Sequence, residues 1–263
     1  MKRTLSLLLA AFVLALPAAA ATPDTLTLVT KSERWSTVVP SGIRVEYTFN
    51  GVVPALSSTP AAAAYDQWIT EACRQLLSGP ATDGTSLLTG LDRQLLAIGL
   101  RQRPSKSRVA SPLSLDVDVR RVYETSRIIT MKASLVYYDS VGERCEVVRE
   151  RSLPKTSAAG VTWDNLVKSK SAARLHQQAA EAVRSFFGVS DWTNLKSRLT
   201  GGDAISPSAF PLPKQGPAFE SYGIRLCYDA GEIAPASYGR PTALIPYSKI
   251  SSLFTQSAKQ LLR

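Results

Sequence analysis

The chain has 263 residues and a formal net charge of +10, with 31 Lys and Arg against 21 Asp and Glu. That length fits one large or two small domains, at about 100–200 residues per domain. The basic balance serves solubility or attracts anionic partners such as cell-wall polymers and membrane surfaces. No recognition motif for nucleic acid is present, so nucleic acid is not an expected partner.

The N-terminus sets the compartment. Lys2 and Arg3 precede an apolar run from Leu5 to Leu16, interrupted only by Ser6. Pro17 breaks the run, and Ala18-x-Ala20 fits a small-residue cleavage site. The run is shorter than the ~20 residues of a spanning helix. Residues 1–21 therefore read as a signal peptide, and the protein is expected to be exported, periplasmic or extracellular, and soluble once cleaved.

Alternation over Thr25 to Thr30 predicts a first strand, and Ile43 to Phe49 predicts a second. Asn50-Gly51 reads as a turn. Pro60 suits a helix start, because its missing N–H has no intrahelical partner there. Tyr65, Trp68, Ile69, Cys73, Leu76 and Leu77 follow at helical spacing, and Gly79-Pro80 ends the run. A second, weaker helix is expected over Ser86 to Leu100. RQRPSKSR, from Arg101 to Arg108, reads as a solvated basic linker, with an anion-binding patch as its functional alternative.

A β-rich block follows. Leu113, Leu115, Val117 and Val119 alternate with Ser114, Asp116, Asp118 and Arg120, giving one dry and one wet face. Strands over Arg127 to Tyr138 and Arg144 to Leu153 complete an antiparallel meander. A helix is expected from Ser171 to Phe187, with Leu175, Ala179, Ala182, Val183, Phe186 and Phe187 on its apolar face and Gly188 as C-cap. Ser206 to Pro217 carries four prolines and reads as loop. Short strands at Gly223 to Tyr228 and Ala243 to Pro246 precede a closing helix from Tyr247 to Leu262. The fold class is α+β, an antiparallel sheet packed against helices in two lobes, a smaller one over residues 22–108 and a larger one over 109–263.

Three cysteines, Cys73, Cys145 and Cys227, leave at least one thiol unpaired. Cys145–Cys227 is the favoured pair because both lie in predicted strands. Three buried thiols packing as small hydrophobes is the competing reading. No CxxC occurs, so zinc and redox chemistry have no support and no cofactor is expected.

Catalytic signatures are sparse. The one histidine, His176, falls on the polar side of its helix and reads as a surface residue. No GxSxG elbow accompanies it. Asp116 and Asp118 lie about 7 Å apart on one strand face. That is within the rough range for inverting carboxylates, although alternate charges on a wet face are ordinary.

The C-terminal residues are the most specific. A strand ending at Tyr228 leads to Glu232-Ile-Ala-Pro235, then Gly239, then IPYSKI from Ile245 to Ile250; TWDNLV, from Thr162 to Val167, precedes them. This pattern resembles the extracytoplasmic domain of RsiV-type anti-sigma factors, a domain that also accompanies PdaC-type peptidoglycan deacetylases. The strand-strand-helix layout of Thr25 to Leu100 is similar to the smaller domain preceding it in that family. The resemblance implies an α+β binding domain and, in the receptors, recognition of c-type lysozyme. A sigma-binding region is not expected, since few residues precede the apolar run. The deacetylases use a histidine pair and an aspartate, which a single histidine cannot supply.

The expected function is a non-catalytic envelope binding module, with c-type lysozyme or peptidoglycan as partner. Its expected binding residues are Glu232, Pro235, Tyr238 and Gly239. Pro235 fixes φ and Gly239 permits φ > 0, so the loop between them is rigid and sharply turned. Glu232 and Tyr247 are also candidates for satisfying buried polar groups. The alternatives are an envelope hydrolase with a carboxylate site and a structural subunit of an envelope assembly. A binder should expose an aromatic patch near Tyr238. A hydrolase should show a cleft with facing carboxylates, and a structural subunit a long uncovered strand edge.

Overall fold

A computed structural model describes residues 26–55, 59–78, 90–92, 95, 112–138, 142–156 and 160–263. The expected signal-peptide segment, the basic stretch Arg101 to Arg108 and most of the second expected helix lie outside the described residues.

β1 (Leu28–Val38) and β2 (Arg44–Pro54) form an antiparallel hairpin. α1 (Pro60–Ser78) follows, with Pro60 at its first position and the Thr59 hydroxyl accepting from Ala62 N at 3.2 Å. β3 (Leu113–Glu124), β4 (Ile128–Tyr138) and β5 (Arg144–Pro154) form the expected meander. All five strands join one sheet in the order β1-β2-β3-β4-β5. Only the β2–β3 pair is parallel. A parallel neighbour needs a long crossover, and the chain through α1 supplies it.

This pairing regroups the chain. The sheet crosses the expected boundary at residue 108, because β2 and β3 are hydrogen-bonded neighbours. The first core lies between one sheet face and α1. It contains Val45, Tyr47 and Phe49 of β2, Tyr65, Ile69 and Leu76 of α1, and Leu115, Met131 and Leu153 from β3 to β5. The second core begins with Ile128 and is otherwise built from residues beyond 160. Two packed units exist, but the packing divides them after β5 and not at the linker.

Asn50-Gly51 is not a turn. Both residues lie inside β2, and Gly51 is paired with Lys31 on one side and Val119 on the other. A Cβ on Gly51 would stand 2.8 Å from the Val119 Cβ and 2.9 Å from the Phe49 ring. The glycine is there for close packing between strands and not for chain reversal. β1 likewise runs eight residues past the expected strand end, through the polar sequence KSERWSTV.

The second unit begins with α2 (Trp163–Leu166), α3 (Ala172–Phe187) and α4 (Trp192–Lys196). Gly188 ends α3 in the left-handed conformation, as its position predicts. β6 (Ala218–Phe219), β7 (Gly223–Cys227) and β8 (Thr242–Pro246) form a small antiparallel sheet, and α3 packs on β8. The architecture is α+β, as the sequence pattern implies.

The expected closing helix is broken. α5 (Tyr247–Ile250) gives way to a 3-10 turn, and α6 (Gln256–Leu261) starts afresh. Phe254 is fully buried and bridges to Val167, while the Thr255 hydroxyl caps α6 by accepting from Ala258 N at 3.1 Å. Burying that ring outweighs helix continuity.

All three cysteines are free thiols. Cys227 meets Glu150, five positions along β5 from Cys145, or about 16 Å by strand rise. The favoured Cys145–Cys227 pair therefore does not form.

Gly51→Ala is expected to destabilise the protein by about 1–3 kcal/mol, the typical effect of overpacking. Urea titration of the two proteins measures it; an unchanged midpoint would contradict the packing role of this glycine.

Candidate functional site

The loop from Asp229 to Arg240 joins β7 to β8. Its inner half is anchored. Ile233 and Ala234 are buried, and Thr200 N donates to the Ile233 carbonyl at 3.0 Å. Glu232 turns inward. Its Oε1 accepts from Lys214 N at 2.8 Å and its Oε2 from Asp229 N at 2.7 Å. Burial raises the Glu232 pKa, opposed by the Lys214 N–H and by the charges of Lys214, Arg149 and Arg240. The carboxylate thus ties two backbone segments together.

Asp229 continues the anchoring. It forms ion pairs with Arg149 and, at 3.3 Å, with Arg240, and accepts from Gln215 Nε2 at 2.9 Å. Arg149 is only 3% exposed, and its Nε has no hydrogen-bond partner among the described residues. Burial and then the neighbouring Arg240 charge pull its pKa down to about 10, while Glu232 and Glu71 push it up. Arg240 Nη1 also donates to the Val148 carbonyl of β5 at 3.0 Å. The two guanidiniums therefore pin the loop to the edge strand of the large sheet.

The proline-rich segment beneath is held by side chains. His176 Nδ1 donates to the Phe210 carbonyl at 2.5 Å, Tyr228 OH to Pro211 at 2.8 Å and Trp163 Nε1 to Pro213 at 2.8 Å. Prolines lack N–H donors, so such a segment cannot build its own ladder and borrows donors from its neighbours. His176 is half-buried in this role and is not the expected surface residue. Tyr247 is structural in the same way, donating from its hydroxyl to the Glu220 carbonyl at 2.8 Å.

The outer half of the loop is exposed. Pro235 leads a 3-10 turn, Ala236–Tyr238, and Gly239 closes it at φ 73° and ψ −137°, a region open to glycine. Tyr238 is 38% exposed and stands edge-on to Phe187, with ring centres 5.4 Å apart. Phe187 stands edge-on to Phe186, at 5.1 Å. Phe186 is 39% exposed. Arg198 lies over the Tyr238 ring at 5.9 Å and donates to its hydroxyl at 2.9 Å. The result is a preset aromatic surface with one cation fixed against it.

Of the four predicted site residues, Pro235, Tyr238 and Gly239 lie on this exposed turn, while Glu232 faces inward. The sequence did not single out Arg198, and it placed Phe186 on the buried helix face. Adjacent helix residues point about 100° apart, and here Phe187 packs against the second core while Phe186 is left 39% exposed. Arg149 carried a signal too, since it interrupts the dry register set by Cys145, Val147 and Leu153. Asp116 and Asp118 sit on the sheet face opposite the first core, and Asp118 pairs with Arg120 at 3.9 Å.

Between the two units the outer faces of β4 and β5 are polar. Thr130 and Ser152 hydroxyls lie 2.7 Å apart, and the Ser152 hydroxyl accepts from Phe219 N at 2.8 Å. Glu150 is buried beside Arg225 at 3.6 Å, and the Arg225 guanidinium also pairs with Glu220. Burial raises the Glu150 pKa, while the Arg225 charge opposes the rise.

The fold is similar to that of two DUF3298 family proteins of known crystal structure. One, from Bacteroides fragilis NCTC 9343, has a TM-score of 0.54 and 10% identity, covering 89% of this chain and 96% of that one. The other, from Pseudomonas aeruginosa PAO1, has a TM-score of 0.52 and 14% identity, covering 90% of this chain and 97% of that one. At such identities the likeness is one of fold. No protein-family model matches the sequence, and no curated protein matches it. Among the described residues no helix is long and apolar enough to cross a membrane.

Two outcomes test this geometry. Glu232→Ala should lower the unfolding free energy by roughly 1–3 kcal/mol, because two backbone N–H groups lose a charged acceptor; thermal and urea unfolding measure it. Glu150 supplies the pH test. Its native pKa lies above the unfolded value of about 4.3, so the native state binds the proton more tightly. Its contribution to stability is therefore full below pH ~4 and lost as pH rises through the native pKa. Relative to Glu150→Gln, the natural protein should lose stability as pH rises from about 4 to 7; a flat difference across that window would contradict the shift.

Proposed function

We propose that this protein is an exported, non-catalytic binding module of the bacterial envelope, and that it binds through the surface formed by Phe186, Phe187, Arg198, Pro235 and Tyr238. The observation that carries the reading is the exposed aromatic cluster at the predicted loop tip. Phe186 and Tyr238 stay accessible, although α3, which carries Phe186, buries Leu175, Ala179 and Val183. Aromatic groups with an attached arginine are the residue types that dominate binding energy when desolvated by a partner. Their rings are already locked by edge-on contacts and by the Arg198 hydrogen bond, so little rotamer freedom remains to be lost.

The RsiV-type resemblance of the EIAP…G loop supports c-type lysozyme as the partner, with peptidoglycan as the second choice. The N-terminal apolar segment supports export, and the DUF3298 fold is compatible with both. The single histidine, held on a proline-loop carbonyl, supports a non-catalytic role.

Isothermal calorimetry against c-type lysozyme, at physiological and high salt, tests the proposal. Both proteins are basic, so charge attraction does not create a false signal. Binding should persist at high salt and weaken at least tenfold in Tyr238→Ala, in line with a buried aromatic anchor. If lysozyme gives no heat, co-sedimentation with purified peptidoglycan should show Tyr238-dependent retention. Failure of both would overturn the reading.

A further inference from the structure

The two ends of the large sheet differ. The β5 end is covered by β6, by the Phe219 N–H on Ser152 and by the Arg240 contact with Val148. β1, at the other end, has no second strand partner among the described residues.

β1 is long and regular, with 11 residues paired to β2 without a bulge. Its hydrogen bonding fixes which backbone groups are used. Val39 N donates to Ile43 O, and Ala55 N donates to Thr27 O. Directly opposed antiparallel residues alternate between hydrogen-bonded and non-hydrogen-bonded pairs. The odd residues from 27 to 39 therefore spend their N–H and C=O groups on β2. Leu28, Thr30, Ser32, Arg34, Ser36 and Val38 point theirs away from it.

The geometry points to a second copy of this chain as the occupant of that edge, pairing β1 with β1 antiparallel about a two-fold axis through Ser32. The side chains select this register. Lys31 then faces the partner's Glu33, Glu33 faces the partner's Lys31, and Val29 faces the partner's Trp35. These are non-hydrogen-bonded pairs, in which opposed side chains approach most closely. A two-fold axis at Glu33 would oppose two glutamates, one at Lys31 two lysines, and one at Arg34 two arginines. Like charges directly opposite are destabilising. With the axis at Ser32, Thr30 meets the partner's Arg34 and Leu28 the partner's Ser36, with no like charges opposed. Within one chain Lys31 already pairs with Glu33 at 2.5 Å. Self-pairing turns that pair into a four-charge cluster across the axis. Such an isologous contact closes on itself and generates a dimer, not a fibre.

Sedimentation equilibrium of the purified protein, with charge-reversal variants, tests the proposal. The natural protein should show a monomer–dimer equilibrium with a mass limit of two chains. Lys31→Glu and Glu33→Lys should each shift the dimer constant at least tenfold toward monomer. The double variant Lys31→Glu with Glu33→Lys should recover dimerisation, because opposite charges face one another again. Ser32→Pro removes an outward N–H together with the bond from the Ser32 hydroxyl to Asn50 Oδ1; it should abolish the dimer, whereas Ser32→Ala, which loses only that hydroxyl bond, should still dimerise, with far-ultraviolet circular dichroism native in both. A protein that remains monomeric up to millimolar concentration overturns the proposal. So does a dimer indifferent to both single charge reversals and to Ser32→Pro. None of these residues belongs to the aromatic surface, so loss of the dimer and loss of lysozyme binding are read separately.

Discussion

The seam along β5 is the contact on which the rest of the structure depends. A five-stranded sheet with one face on α1 still has an outer face and two edges to satisfy. At β5 the chain closes one edge and part of that face with charges and hydroxyls. Ser152 accepts a backbone N–H from β6, Arg240 takes the Val148 carbonyl, and Arg149 meets Asp229. Buried ion pairs of this kind contribute little net stability, because desolvation offsets most of their attraction. They do set orientation, since the acceptors of each guanidinium lie at fixed places on β5 and on the loop. The seam therefore fixes where the β7–β8 loop sits more than it holds the protein folded.

That placement explains how an irregular loop can be rigid. The segment from Ser206 to Pro217 is rich in proline and cannot form a ladder of its own. Donors from His176, Tyr228 and Trp163 hold it down, and Glu232 then ties Lys214 N to Asp229 N. Each layer rests on the one below: core, proline segment, Glu232 bridge, exposed turn. Tyr238 is the last member, and its ring is positioned before any partner arrives. Preorganisation of this kind lowers the entropy lost on binding.

Much of this was legible in the sequence, for identifiable reasons. Strict alternation in β2, β3 and β4 gave their faces, because burial on one side leaves a period of two. Gly188 and Pro60 marked helix ends through backbone chemistry that does not depend on context. The failures share one cause, which is tertiary contact between distant residues. Asn50-Gly51 has turn chemistry locally, yet the approach of Val119 from β3 decides its role. β1 continues through polar residues because β2 supplies its hydrogen bonds. His176 looks solvent-facing on its own helix until the proline segment is laid over it. At the candidate site the loop itself was readable, while Arg198 and Arg240 were not; Arg149 stood out only as a charge in a dry register, with nothing in its local pattern to indicate its partner.

The aromatic surface is built from α3 and the β7–β8 loop, and it shares no residue with the β1 edge. Four strand spacings separate β1 from β5, roughly 19 Å, and the loop that carries Tyr238 is tied to β5 through Arg149 and Arg240. Occupying one surface leaves the other open. A protein joined through β1 would carry two copies of the Phe186–Tyr238 surface, each on a unit tied to a β5 strand of one continuous sheet. Where the target is repeated, as in a polymer or a coated surface, the second contact becomes intramolecular, and avidity exceeds the single-site affinity by roughly 10²–10⁴ when the geometry permits both. A single-site contact of modest affinity is then sufficient. The polar seam is what makes that arithmetic available, because it holds each patch at a fixed angle to the sheet that joins them.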